Sequence, residues 1–377
     1  MKDLKIIDIT LRCCYGREIN LAFAERIGLL KSLIGIGIKE IEIAAPGLSK
    51  KEREQAREIL KMKLEAEFRS WNRPLILDLR ESAEAGFENV LISLTPDLKQ
   101  KVQVDLKANF QRPAELMELE SRFLNNLKSV LNYAAARDLK VKLEICRASA
   151  VNLEYLLKLI KFCQQFGVSE FAYQEEEAVI SPLIFTERIE KIIKNTGIEL
   201  ELNCSNHLST ATASALAAVE GGVRTIAAAV NSLADHSYGS LDLAEIVMAL
   251  ERLKKLDLNL ETENLFQIYS QVAELFKQKI AFNKAVVGSG VFKHESGIHA
   301  DGVLKNPETY EPYPPELVGQ EREIVIGKHS GRNALKAKYR ELGVELSEEL
   351  LGFKLKKIRK KAVGFKRALT DQEILDI

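Results

Sequence analysis

Tryptophan occurs once in the 377 residues, proline nine times, and cysteine five times. The five cysteines (Cys13, Cys14, Cys146, Cys163 and Cys204) are too few, and odd in number, for a disulfide framework, so reduced thiols in a cytoplasmic protein are expected. No run of about 18 apolar residues is present, which excludes a helix that spans a bilayer. The opening residues MKDLKIIDITLR lack the charged, then apolar, then small succession of a secretory signal and read as a short strand. Neither sign of charge is in excess, because Lys+Arg and Asp+Glu are both 54. That balance gives no electrostatic reason to expect nucleic acid or an acidic membrane as partner. Hydrophobic residues, in contrast, make up 46 % of the chain against 29 % charged. A large core is available and disorder is excluded. The length suits one barrel of about 250 residues with an appendage.

Short β-rich runs alternate with helical runs from the start to about residue 255. The strand candidates are residues 5–11, 40–44, 66–71, 89–94, 140–145, 170–174, 199–204 and 225–230. The intervening stretches, such as LNNLKSVLNYAAARD and NLEYLLKLIKFCQQF, repeat apolar residues at three- and four-residue spacing. Gly35, Gly37, Gly167 and Gly197 sit at turn positions ahead of the next strand. Eight such units predict a parallel (β/α)₈ barrel over residues 1–258. An open doubly wound sheet is the alternative, less favoured because no Gly-rich loop follows the first strand. Residues 259–377 form a second part: a helix from Asn259 to Lys279, an extended arm rich in Gly and Pro, and two short helices after about Ser347.

Within the arm stand HESGIHADGVLKNPETYEP and VIGKHSGR, and the first strand reads IIDITLR. These motifs resemble the homocitrate synthase/2-isopropylmalate synthase family of metal-dependent Claisen condensing enzymes, in particular the homocitrate synthases of nitrogen fixation. The resemblance covers nearly the whole chain. It implies a TIM barrel whose divalent metal polarises the carbonyl of a 2-oxoacid while acetyl-CoA supplies the attacking carbon. It also implies that an arginine beside the metal stabilises the developing alkoxide; here that residue is Arg12. The family opens with D-T-T-L-R-D-G-E-Q, but this chain has Cys13 where the metal-ligating aspartate stands. The family's H-x-H at the seventh strand is Asn203-Cys204-Ser205. All three protein ligands are therefore replaced, by Cys13, Asn203 and Ser205, and no metal is expected in this barrel. Cys146-Arg147 stand where the fifth strand carries an acid, Glu175-Glu176 at the sixth strand, and ADHSYGS in place of G-E-R-A-G-N. The arm, in contrast, is intact. His299 and Tyr310 match the family spacing, and in family members these two reach across a dimer interface into a neighbour's barrel.

Bland readings stand beside these. Cys13, Cys14, Cys146 and Cys204 near strand ends could form a soft-metal site, but cysteine is also a common buried residue, and alternation turns Cys204 away from Asn203 and Ser205. His207 reads as a polar residue at a helix start, His236 as a loop histidine, and Glu175–Glu177 as a solvated acidic loop. Arg12 and Arg73 are candidates to hold an anion in a vestigial pocket. HESGIHADG could serve only to fold the arm. The leading expectation is a metal-less, pseudo-catalytic subunit. It would pair, as a homo-oligomer or as a heteromer with an intact homocitrate synthase-type chain, and lend His299 and Tyr310. The partner would bring the divalent metal and acetyl-CoA. The alternatives are a stand-alone acyltransferase or lyase using Cys13 or Glu175, and a non-enzymatic ligand-binding protein.

Overall fold

The computed structural model describes residues 4–16, 21–96, 113–176, 180–234 and 239–377. The chain divides into two compact units, Met1–Glu261 with Gln271–Gln278, and Thr262–Ser270 with Lys279–Ile377. The first unit is a closed, all-parallel barrel of eight strands. They are β1 (Lys5–Asp8), β2 (Glu40–Ala44), β3 (Glu67–Asn72), β4 (Asn89–Leu94), β5 (Lys140–Ile145), β6 (Glu170–Glu175), β7 (Glu199–Cys204) and β8 (Thr225–Ala228). Pairing of Ile6 with Ile226 and of Asp8 with Ala228 closes the ring, so the open-sheet alternative is set aside.

Helices return the chain between strands. Several N-termini carry side-chain caps that satisfy otherwise orphaned N–H groups. Ser49 caps the helix Lys50–Lys61, Asn152 caps Leu153–Gln164, Ser181 caps Pro182–Thr196, and Asp242 caps Leu243–Lys254. Gly197, at φ 66°, ends the third of these in the left-handed region. β1 is shorter than its apolar pattern suggests. The Asp8 carboxylate accepts from the Thr10 backbone N–H at 2.9 Å and from its hydroxyl at 2.7 Å, bending the chain into a 3-10 turn at Thr10–Arg12. The expected helix from Asn259 to Lys279 is confined to Leu265–Leu275, after a 3-10 turn at Thr262–Asn264.

The second unit is less extended than its glycines and prolines imply. A two-stranded parallel ladder joins β9 (Lys293–His294) to β10 (Glu323–Ile324). Helices follow at Gly297–Lys305 (α11 in chain order, counting the turn Cys13–Gly16 as α1), Arg332–Glu341 (α12), Glu348–Phe365 (α13) and Asp371–Leu375 (α14). α11 forms because the prolines begin only at Pro307, past its end. α13 is one helix of 18 residues rather than a short one. Its Leu351, Leu355, Ile358 and Ala362 pack with Ile326, Leu335, Tyr339 and Ile374 into a separate core. Among the described residues no helix is long and apolar enough to cross a membrane.

Candidate functional site

In a parallel barrel alternate residues of each strand face inward, and ion pairs between non-adjacent strands must cross the interior. Here they do so in two levels. Arg69 on β3 donates both terminal nitrogens to Glu201 on β7, at 2.7 and 2.9 Å, and its Nε to Glu42 on β2 at 3.2 Å. Lys142 on β5 donates to Glu201 at 2.8 Å. Above this level, the 3-10 turn after β1 brings in Arg12. Its Nε and Nη2 form a two-point contact with Glu42 at 2.8 and 2.7 Å, and its Nη1 donates to Glu144 on β5 at 2.8 Å. Thr10 fixes that turn, its hydroxyl oxygen accepting from the Val230 N–H at 2.9 Å.

The cations Arg12, Arg69 and Lys142 thus meet three buried acids, Glu42, Glu144 and Glu201, while the more exposed Glu40 and Glu170 also pair with Lys142. Burial raises the Glu201 carboxyl, but the charges of Arg69 and then Lys142 outweigh it and hold the group far below the usual carboxylate range. Glu144 follows the same logic: burial opposes ionisation, while Arg12, Asn203 and Ser93 prevail and keep its pKa low. Asp8, buried without a cation, is pushed up to about 7, although Thr10 bonds it twice.

These residues also surround Asn203, one of the three positions, with Cys13 and Ser205, where the resemblance implies metal ligands. Asn203 Nδ2 donates to Glu144 Oε1 at 2.8 Å, the same oxygen that takes Arg12. The Ser205 hydroxyl donates to the Glu176 carbonyl. Cys13 is fully buried in the turn after β1. An amide N–H and a guanidinium face the one carboxylate there, and two hydrogen-bond donors stand where two imidazoles would coordinate. This set does not fit a divalent metal. Among the described residues no group of three or more His, Cys, Asp or Glu is arranged to hold one. The cysteines do not converge as a substitute. Cys204 is buried at the end of β7, and its Sγ donates to the Ser205 carbonyl at 3.8 Å. Burial pushes the Cys146 and Cys204 thiols up to about 12. The purified chain is therefore expected to carry less than about one-tenth equivalent of Zn²⁺, Mn²⁺ or Mg²⁺. Stoichiometric metal in elemental analysis, lost on Cys13→Ala, contradicts this.

Several sequence expectations need revision here. The fifth strand does carry an inward acid, Glu144, two residues before Cys146. Glu175 is not in a solvated loop: it is the buried last residue of β6. Glu177 and His236 lie outside the described residues. Arg73 meets Asp78 through two nitrogens, at 2.9 and 2.8 Å, and Arg12 is engaged by two carboxylates. His207 is exposed. The missed residues Glu42, Arg69, Lys142 and Glu201 were visible as charges alternating with apolar residues in EIEIA, AEFRSW, KVKLEI and ELELNC.

In the second unit the HESGIHADG motif divides its work. His294 Nε2 lies 2.9 Å from Glu311 Oε1, an oxygen that also accepts from Arg322 Nε at 2.8 Å. Glu295 accepts from the His329 N–H at 3.0 Å. These residues hold the arm together. His299, on α11, is exposed and stacks on Tyr310, ring centroids 4.3 Å apart at 36°. Gly302 makes that stack possible: a Cβ there would lie 2.5 Å from the Tyr310 ring. Tyr310 keeps 39 % of its surface exposed. The pair is presented outward, and neither side chain is used for the arm's own core.

The fold is that of a TIM-barrel protein followed by a second compact unit. Comparison with known proteins places it further. The HMGL-like family model matches residues 3–272 and the homocitrate synthase post-HMGL domain-like model residues 286–365. The chain belongs to the HMGL-like family, in its homocitrate synthase/2-isopropylmalate synthase branch of acetyl-CoA/2-oxoacid condensing enzymes. It is 34 % identical to 2-isopropylmalate synthase 2 of Caldanaerobacter subterraneus subsp. tengcongensis, across 99 % of this chain and 94 % of that one. It is 31 % identical to homocitrate synthase 1 of Nostoc sp., across 100 % and 97 %. Among solved structures, the HMG-CoA lyase of Bacillus subtilis superposes with a TM-score of 0.63 at 17 % identity, covering 74 % of this chain and 96 % of that one. At that identity the likeness concerns the fold.

Proposed function

We propose that this chain is a pseudo-catalytic subunit that lends His299 and Tyr310 to the barrel of an intact homocitrate synthase-type partner, in the cytoplasm. The observation that carries the reading is the contrast between the two units. At the barrel mouth Arg12 and Asn203 are committed to Glu144, so the positions that would hold a metal hold hydrogen bonds instead. On the arm, the histidine and tyrosine are stacked and exposed. A two-fold pairing brings such an arm to a neighbour's barrel. The partner supplies the divalent metal and binds acetyl-CoA. This chain's histidine moves a proton near the condensing carbon, and its tyrosine borders the 2-oxoacid.

The test is co-expression with a homologous chain that carries D-T-T-L-R-D and H-x-H. Free CoA released from acetyl-CoA and 2-oxoglutarate is then measured for each chain alone and for the purified pair. No release is expected from this chain alone, and release from the pair. Restoring Asp at 13 and His at 203 and 205 should recover metal binding before turnover, because Arg12 and Glu144 still occupy each other. Failure of the two chains to associate contradicts the proposal.

A further inference from the structure

The net charge of zero is the sum of two unlike parts. Between Glu349 and Asp371 lie eight Lys and Arg residues and no acid. The rest of the chain then holds 46 Lys and Arg against 54 Asp and Glu, a net charge of −8. The cations follow α13 and its C-terminal turn. The part within the helix, from Lys354 to Phe365, spans about 17 Å.

A run of charge on a helix is usually a solvated face, but this protein solvates its other helices differently. Glu118–Arg122, Glu154–Lys158, Glu187–Lys191 and Asp301–Lys305 pair opposite signs one turn apart. On α13 the exposed Lys356 and Lys360 repeat the same sign at that spacing, as do Lys357 and Lys361, an arrangement that weakens a helix. Of the eight cations, Arg367 alone has a carboxylate partner among the described residues, Glu373. Apolar side chains are set among them: Phe353, Val363 and Phe365 are 56 %, 60 % and 46 % exposed. The helix's other face is buried in its own unit's core, so these residues are not the packing face of a displaced helix.

We propose that the exposed face of α13 docks on an anionic phospholipid surface. Clustered lysines meet a diffuse layer of lipid headgroups without needing fixed partner geometry, and flanking Phe and Val side chains enter the boundary beneath. Six of the eight cations are Lys, a point charge rather than the planar fork suited to bidentate recognition. A single-stranded nucleic acid would stack bases on open aromatic faces. Here Lys357 covers the Phe353 ring at 4.6 Å, and Lys361 and Arg367 lie over that of Phe365 at 5.8 and 5.1 Å. Val363 offers no stacking face.

The experiment is co-flotation of the full chain with vesicles. It should float with phosphatidylcholine–phosphatidylserine vesicles, stay behind with pure phosphatidylcholine, and be released by high salt. At roughly fivefold per cation, the triple variant K356Q/K357Q/K360Q should bind about 100-fold more weakly. Circular dichroism checks that it is folded, as its exposed sites predict. F353S/V363S, with all cations kept, should weaken vesicle binding several-fold. No flotation of the wild type with the anionic vesicles overturns the proposal. So does tighter binding to a single-stranded oligonucleotide, weakened by Phe353→Ser but insensitive to Val363→Ser, which assigns the face to nucleic acid.

Discussion

His299→Ala in this chain should lower the condensation rate of the mixed complex by about 10²–10⁴-fold, the usual cost of a positioned acid/base group, with assembly intact. The substitution is mild structurally. His299 is exposed, and its neighbours in the motif, His294 and Glu295, hold the arm through Glu311 and the His329 N–H without it. Tyr310→Phe keeps the ring that stacks on His299 and removes one hydroxyl, so a smaller loss is expected. Size-exclusion chromatography of the pair, run beside the CoA-release assay, separates a loss of chemistry from a loss of association. Equal rates for wild type and His299→Ala would leave the arm a structural element only.

Arg69→Met should destabilise the barrel by about 3 kcal/mol, the lower end of the cost of breaking a buried ion pair, because it leaves the buried Glu201 to Lys142 alone and Glu42 to Arg12 alone. Arg69 is fully buried and reaches both acids; the methionine would fill much of its volume but none of its charge. The denaturant midpoint at neutral pH reads the effect. Replacing Glu201 by Gln in the same chain should recover part of the loss, since the cost lies in a buried charge that Lys142 alone compensates. The pH dependence has a definite sign. The folded pKa of Glu201 lies far below its ordinary value of 4.5. Its contribution is therefore present above that value and is lost as pH falls through and below it. The wild type should weaken on acidification, and the penalty of Arg69→Met should shrink there, because the carboxyl, left with Lys142 alone, protonates at higher pH than in the wild type. A penalty independent of pH would mean that packing rather than charge dominates.

The barrel was legible because alternation of strand and helix is a property of local pattern. The eight strand candidates lie where β1–β8 form: β2, β4, β5 and β7 coincide with them, and β1, β3, β6 and β8 shift by one to three residues at one or both ends. β1 stops early because of a side chain, Asp8, capturing Thr10, and apolar patterning does not record such captures. The arm was misjudged in part for the same reason. Glycines at 297, 302, 327 and 331 read as breaks, but they permit close packing: Gly297 lies against Gly331, and Gly327 makes room for Glu295. At the site, the replaced positions Cys13, Asn203 and Ser205 were visible as residue types. What fills their place was not. That Arg12 lies between Glu42 and Glu144, 30 and 132 residues away in the chain, follows only from closing the barrel.

That same burial decides how the central claim is tested. Arg12→Ala would strip Glu144 of its cation and Glu42 of its two-point contact, confounding folding with chemistry, so Arg12→Lys, which keeps the charge and breaks the fork, is the useful partner to His299→Ala. The measurement is CoA release by the assembled pair carrying one or the other substitution in this chain. The account predicts near wild-type turnover with Arg12→Lys and a loss of about 10²-fold or more with His299→Ala. Abolished turnover with Arg12→Lys and full turnover with His299→Ala would put the working site in this chain's own barrel and contradict it.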